Sequence, residues 1–186
     1  MASIGAEHIA VVAGCFLSGT TPPDALPQAQ LSSELTRPTL PGAMMSVFMI
    51  TIPILVETTR QPGKLANAWR KVYLSGHVRG PAIAGATGLI YAIAAWRKHA
   101  AGEPWRVFAV AGAITATIAP YTMTIMQGTN NALSRADDLA VKGTEPAWAE
   151  VERLVVRWGR LNAIRALIPM AGGVMGLLGA CGIWVF

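Results

Sequence analysis

The chain has 186 residues, 53% of them hydrophobic and only 13% charged, where soluble domains carry about 25% charged residues. That length is one domain's worth and that balance excludes a soluble enzyme, so a single membrane domain over residues 1–186 is expected. The net charge of +5 requires no nucleic-acid partner, because basic residues beside membrane spans are what orientation demands.

In chain order, the first apolar stretch is residues 9–19, short and preceded by Glu7 and His8. No Lys or Arg occurs before Arg37. A secretory signal peptide needs a basic start, so the segment is expected to be retained. Residues 20–41 are rich in Pro, Ser, Thr and Gln and read as an irregular loop. Charge-free stretches follow at 38–56, 80–96, 107–126 and 166–186, each near the ~20 residues that cross a hydrocarbon core. The expected fold class is all-α: an integral membrane four-helix bundle with an extra short N-terminal apolar segment.

If the segment ending at Val56 emerges on one side of the membrane, residues 57–79 and 127–164 lie on that side and 97–106 on the other. The first side, with the end of the last loop, collects Arg60, Lys64, Arg70, Lys71, Arg79, Arg135, Lys142, Arg153, Arg157, Arg160 and Arg165, against Arg97, Lys98 and Arg106. It is expected to face the cytosol from an endomembrane. Small residues recur every four positions at Gly76, Gly80, Ala84, Gly88 and Ala92, and again at Gly172, Gly176 and Ala180. Such stripes let helix backbones approach closely in lipid. Packing within the bundle suffices to explain them, and a homo-oligomer stays open. Pro53, Pro81, Pro120 and Pro169 all fall within or at the start of spans.

Cys15 and Cys181 lie far apart in apolar segments, which supports neither a disulfide framework nor a thiolate metal site. The histidines, His8, His77 and His99, form no metal-ligand pair, so a haem or metal centre would need distant ligands. No metal site is expected. Three polar groups remain. Trp69, Tyr73 and His77 are spaced by four and share one helix face; packing against neighbours is the commoner use of such a line, a slot for a flat aromatic ligand the other. Thr129, Asn130 and Asn131 follow the span ending at Met126, where Gln127 to Asn130 is also good turn chemistry. Residues 147–165 read as a helix entered through Thr144, Glu145 and Pro146, with an apolar face from Trp148 through Trp158 and Leu161 that continues to Asn162 and Arg165. Polar groups turned inward at a membrane interface need partners or a ligand. For Arg165 the alternative is a snorkelling side chain. His77, Asn131 and Arg165 emerge at the same end of three spans and are expected to converge on one pocket.

The segments FLSG (16–19), GAMMS (42–46), the tryptophan, tyrosine, glycine and histidine of AWRKVYLSGH (68–77), TNNAL (129–133) and LVVRWGRLNAIR (154–165) cover nearly the whole chain in order. Together they resemble the membrane-bound anthrone oxygenases of fungal aromatic polyketide pathways. Two departures stand out: that family runs FLSG into the GAMMS-like segment as one helix, whereas residues 20–41 are inserted here, and its members often carry histidine at the position of Asn162. The inserted loop would turn the N-terminal piece into a short span or an interfacial segment; a retained intron is the other explanation.

The resemblance implies oxidation of a small aromatic polyketide, an anthrone, to an anthraquinone by molecular oxygen, with oxygen as co-substrate and no cofactor. It needs a base at the reactive CH2, donors on the developing enolate oxygen and a dry cavity. On that basis His77 is the candidate base, and Arg165 and Asn131 the candidates for stabilising the enolate oxygen or peroxide. Trp69, Tyr73 and Trp158 are candidate ring-stacking walls. Thr129, Asn130, Arg157 and Asn162 are candidates for binding the substrate, the last three at its phenolic oxygens. A haem- or metal-dependent membrane oxidoreductase and a non-catalytic scaffold are the alternatives. A transporter fits poorly, since residues 82–96 and 107–119 hold only threonine as polar side chains.

Overall fold

The computed structural model describes residues 40–184 and Phe186; the expectations for residues 9–19, for Cys15 and for the loop at 20–39 lie outside the described residues. Among the described residues there are four helical stretches and no strand. Helix α1 covers residues 40–58, as Leu40–Ser46, a π-helical turn Val47–Thr51 and Ile52–Thr58. Helix α2 is Pro62–Ala100, α3 is Arg106–Val141 and α4 is Trp148–Ala180. By length and composition α2, α3 and α4 can each cross a membrane, while the apolar part of α1, Met44–Thr58, is shorter.

The three long helices have 39, 36 and 33 residues. At ~1.5 Å per residue they are roughly 50–59 Å long, well beyond the ~30 Å hydrocarbon core. Each apolar span therefore continues into a polar helical extension. The turn reading at Gln127 to Asn130 is overturned for that reason: Gln127–Val141 is helical, following a π-helical turn at Thr122–Met126. Once α3 is in progress, each further residue adds a backbone hydrogen bond without a new nucleation cost, which outweighs local turn preference.

The prolines act where their missing donors fall. Pro120 cannot bond to the carbonyl of Ala116, and the helical segment Arg106–Ala116 ends there, with the Thr117 hydroxyl donating to Ile114 O at 2.7 Å. Pro53 cannot bond to Met49, which lies in the π-helical turn of α1. Pro81 and Pro169 sit inside unbroken helices.

Contacts divide the chain into two compact units, one containing residues 82–118 and 166–186, the other residues 44–81 and 119–165. In the first, Tyr91, Ala94, Ala95, Val107, Phe108 and Ala111 form the core. Glycines of α4 receive these side chains. A Cβ at Gly176 would lie 2.6 Å from Tyr91 Cε1, one at Gly179 would lie 2.5 Å from Val107 Cγ1, and one at Gly172 would meet Ala111 O at 2.9 Å. The Tyr91 hydroxyl donates to Gly172 O at 3.2 Å. The glycine stripe of the last span is thus a packing groove, with Gly179 in the place expected for Ala180. The stripe in α2 differs: a Cβ at Gly76, Gly80 or Gly88 would meet nothing within 4 Å.

In the second unit the core is Ile52, Leu65, Ala66, Trp69, Met126, Leu133, Ala136, Val151, Val155 and Trp158. Gly159 admits α1 against α4, since a Cβ there would come 2.9 Å from Ile52 Cγ1. Glu145, expected at the entry to α4, instead caps α2: its Oε2 accepts from Gly63 N at 3.2 Å. A carboxylate is favourable at the positive end of a helix. Helix α4 opens on Ala147, whose carbonyl accepts from Glu150 N and Val151 N at 3.1 and 3.2 Å.

The two glycine stripes make opposite demands. Gly176→Ala is expected to destabilise the protein by about 1–3 kcal/mol through overpacking on Tyr91, while Gly88→Ala should be neutral or stabilising by up to ~1 kcal/mol. Unfolding of the two variants in detergent, followed by circular dichroism, checks this order.

Candidate active site

The aromatic line of α2 forms as the four-residue spacing requires. Trp69 is fully buried and stacks on Tyr73, with ring centroids 5.2 Å apart and planes 17° apart. Tyr73 is half-buried, and its ring lies 5.3 Å from that of His77, which is exposed. Trp158 of α4 meets Trp69 edge to face at 5.8 Å and 88°, an arrangement aromatic quadrupoles favour.

From Trp158 a chain of hydrogen bonds runs along α4. Its indole Nε1 donates to Asn130 Oδ1 at 2.9 Å. Asn162 Nδ2 donates to Trp158 O at 3.0 Å, and Asn162 Oδ1 accepts from Arg165 Nη2 at 2.7 Å. Arg165 Nη1 donates to Thr122 Oγ1 at 3.3 Å. Asn130 and Asn162 are buried, 4% and 3% exposed, so every polar atom they leave unmatched would be costly. The Tyr121 hydroxyl donates to Leu161 O at 3.2 Å. Among the described residues two buried donors have no hydrogen-bond partner, Arg165 Nε and Trp69 Nε1.

The structure therefore gathers Trp69, Tyr73, Asn130, Trp158, Asn162 and Arg165 into one constellation, with His77 at its exposed end and Thr129 buried beside Asn130. Asn131 is not among them: it is exposed and accepts from Gln127 Nε2 at 3.0 Å. Arg157 is exposed on another face of α4, between Arg153 and Arg160. Both follow from helix geometry. Asn131 is one residue, about 100° of rotation, beyond the inward-facing Asn130, and Arg157 is likewise displaced from Trp158.

Three partners were not anticipated from the sequence. Tyr121 and Thr122 lie at the entry to the π-helical turn of α3, where a residue of extra winding shifts the inward face. Asp137 is 3% exposed and accepts from Asn67 Nδ2 at 3.3 Å and Arg70 Nη1 at 2.9 Å. Arg70 also reaches Asp138 Oδ1 at 2.8 Å. Asp137 was detectable: it follows Asn130 and Leu133 at helical spacing. Among the described residues no three His, Cys, Asp or Glu side chains are grouped as metal ligands.

The buried Trp158–Asn130 bond has a measurable consequence. In a double-mutant cycle, Trp158→Phe and Asn130→Ala should show a coupling energy of about 1 kcal/mol or more, since each single change strands a buried partner. Additive effects in denaturation would mean that the bond contributes nothing to stability.

Residues 69–175 match the family described as anthrone oxygenase. The chain is 44% identical over 181 residues to the noranthrone monooxygenase of Aspergillus flavus, which covers 97% of this chain and 75% of that protein. It is 45% identical over 183 residues to the monooxygenase hypC of Dothistroma septosporum, covering 98% and 86% of the two chains. With the anthrone oxygenase AgnL2 of Paecilomyces divaricatus it shares 38% identity over 155 residues, 81% and 94% of the respective chains. No solved structure matches. The matched region begins at Trp69 and encloses the whole constellation through Arg165, and with relatives this similar over most of its length, the chain belongs to the anthrone oxygenase family.

Proposed function

We propose that this protein oxidises an anthrone to the corresponding anthraquinone with molecular oxygen, the type of activity for which its relatives are named. The observation that carries the reading is Arg165: a guanidinium held by Asn162 and Thr122, beside a wall of stacked rings, with its Nε donor unused. A donor of this kind suits the oxygen of an enolate, and a flat substrate suits the Trp69–Tyr73 face.

The chemistry needs little from the protein beyond this. An anthrone carries a doubly benzylic CH2 opposite its ketone. Removal of one proton, with His77 as base, leaves an enolate whose negative oxygen is met by Arg165. The enolate passes one electron to oxygen, and the resulting radical and superoxide recombine into a C–O bond. Protonation gives a hydroperoxide, and loss of water with the remaining hydrogen of that carbon leaves the second carbonyl. One oxygen molecule yields one quinone oxygen and one water, so no external reductant is consumed. In this scheme no cofactor takes part; Asn130 and Asn162 hold the site's shape and offer contacts to phenolic oxygens, while Asn131 and Arg157 stay outside it.

The test is an aerobic assay of purified protein with an anthrone, with uncatalysed autoxidation subtracted. His77→Ala is expected to lower kcat roughly 100-fold or more, the usual scale for a positioned base. His77→Gln, which keeps hydrogen bonding without basicity, should be as poor, and His99→Ala should be near wild type. A His77→Gln enzyme with near-normal turnover would remove His77 from the mechanism. A stoichiometric metal, or a haem band in the optical spectrum of the active protein, would overturn the cofactor-free scheme.

The same reading places the His77 end of the helices at the cytosolic surface of an endomembrane, in line with the basic residues collected there. Glycosylation acceptors engineered into the turn at 101–105 should then be modified and those near Lys142 should not. The reverse pattern would invert the topology.

A further inference from the structure

Beyond the oxidation site, one face of α4 carries a feature the reaction does not use. Ala149, Glu152, Arg153, Val156, Arg157 and Arg160 line a surface groove of about 470 Å³. Their spacing of three and four places them on one side of the helix. Among the described residues none of the three arginines makes a hydrogen bond or an ion pair. Among the described residues the ion pairs lie elsewhere: Arg70 takes both Asp137 and Asp138, and Lys98 takes Glu103 at 2.8 Å. The groove holds one carboxylate, Glu152, against three guanidinium groups, so its net charge is positive.

The position of the groove along the helix matters as much as its charge. Helix α4 runs unbroken from Trp148 to Ala180, and its charge-free part begins at Ala166. At ~1.5 Å per residue, Arg160 lies about 9 Å before that point, Arg157 about 14 Å and Arg153 about 20 Å. A headgroup layer is roughly 5–8 Å deep, and a surface charge is felt for a further ~8 Å at physiological ionic strength. Arg160 thus stands at the outer edge of the headgroup layer, its side chain long enough to reach down to lipid phosphates, and Arg157 lies within the range of their charge, with Arg153 farther out. Guanidinium groups bind phosphate oxygens through two parallel N–H donors, and the half-buried Val156 offers an apolar contact beside them.

We propose that this groove binds the headgroup of an anionic phospholipid in the leaflet that α4 enters. Arg157 then serves the membrane, not the substrate. The inference is independent of the oxidation chemistry, because it rests on the outer face of α4 alone.

The test uses the full chain in vesicles of phosphatidylcholine with a minor fraction of phosphatidylserine, followed by gentle extraction and native mass spectrometry of the retained lipid. Each arginine at a membrane surface contributes about fivefold, and Glu152 offsets part of that, so roughly tenfold enrichment of phosphatidylserine over its vesicle fraction is expected. The triple variant R153Q/R157Q/R160Q should retain lipid near the vesicle ratio. The triple lysine variant, which keeps the charge and loses the planar fork, should fall between the two. Retention at the vesicle ratio by the wild type, or unchanged enrichment in the glutamine variant, would refute the proposal. So would abolition of the enrichment by inorganic phosphate at physiological concentration, which would make the groove a soluble-anion site. A raised KM for an anthrone in R157Q with lipid enrichment intact would return Arg157 to the substrate and also refute it.

Discussion

A guanidinium placed where a helix turns apolar needs its donors accepted from within the protein, because hydrocarbon offers no acceptor. Arg165 meets that requirement through Asn162 and Thr122, and the requirement spreads outward from there. Asn162 can accept from Arg165 only if its amide faces the right way, which its donation to the Trp158 carbonyl ensures. Trp158 in turn is fixed by its indole bond to Asn130, and its ring sets the edge against which Trp69 packs. A single charge thereby orders residues from three helices, and the donors left over at Arg165 Nε and Trp69 Nε1 are where the arrangement has capacity for something else.

Such a network depends on backbones that do not drift, and the glycines supply that condition differently in the two units. At Gly172, Gly176 and Gly179 the absence of a side chain lets Tyr91, Val107 and Thr115 close on α4. At Gly63 and Gly159 it lets the polar extensions come together, with Ala140 and Ile52 in the vacated space. Without a hydrophobic drive between helices in lipid, close packing of this kind carries the association. Polar pairs such as buried Asp137 with Arg70 and Asn67 then tie the extensions together.

Most of the architecture was legible because the bilayer imposes it: charge-free stretches near the length of a hydrocarbon core have few alternatives to helix. The line Trp69, Tyr73, His77 and the extrapolation from Trp158 to Asn162 and Arg165 were legible for the same reason, since a helix fixes its own faces. What misled was local chemistry. Gln127 to Asn130 has turn composition, yet it lies in an established helix. The convergence of Asn131 with Arg165 failed by one residue of rotation, which spacing alone leaves undetermined when the helix has not been recognised. Tyr121 and Thr122 lie in a charge-free span, where composition does not mark which hydroxyl faces Arg165. The α2 glycines show the converse limit: their spacing is regular, but nothing in a spacing states whether another helix is there to use it.

The position of Asn162 illustrates how the network tolerates change. The site asks its side chain to donate to Trp158 O and to accept from Arg165. An amide does both, with nitrogen and oxygen as separate atoms. Neutral imidazole also has one donor and one acceptor, so a histidine at that position could fulfil both roles in one tautomer. Protonated imidazole cannot, since both nitrogens become donors and one would face the guanidinium. An adjacent positive charge opposes that protonation, which makes Arg165 itself the group that keeps such a histidine neutral. A histidine in place of asparagine would therefore keep the hydrogen-bond direction, and with it the orientation of Arg165.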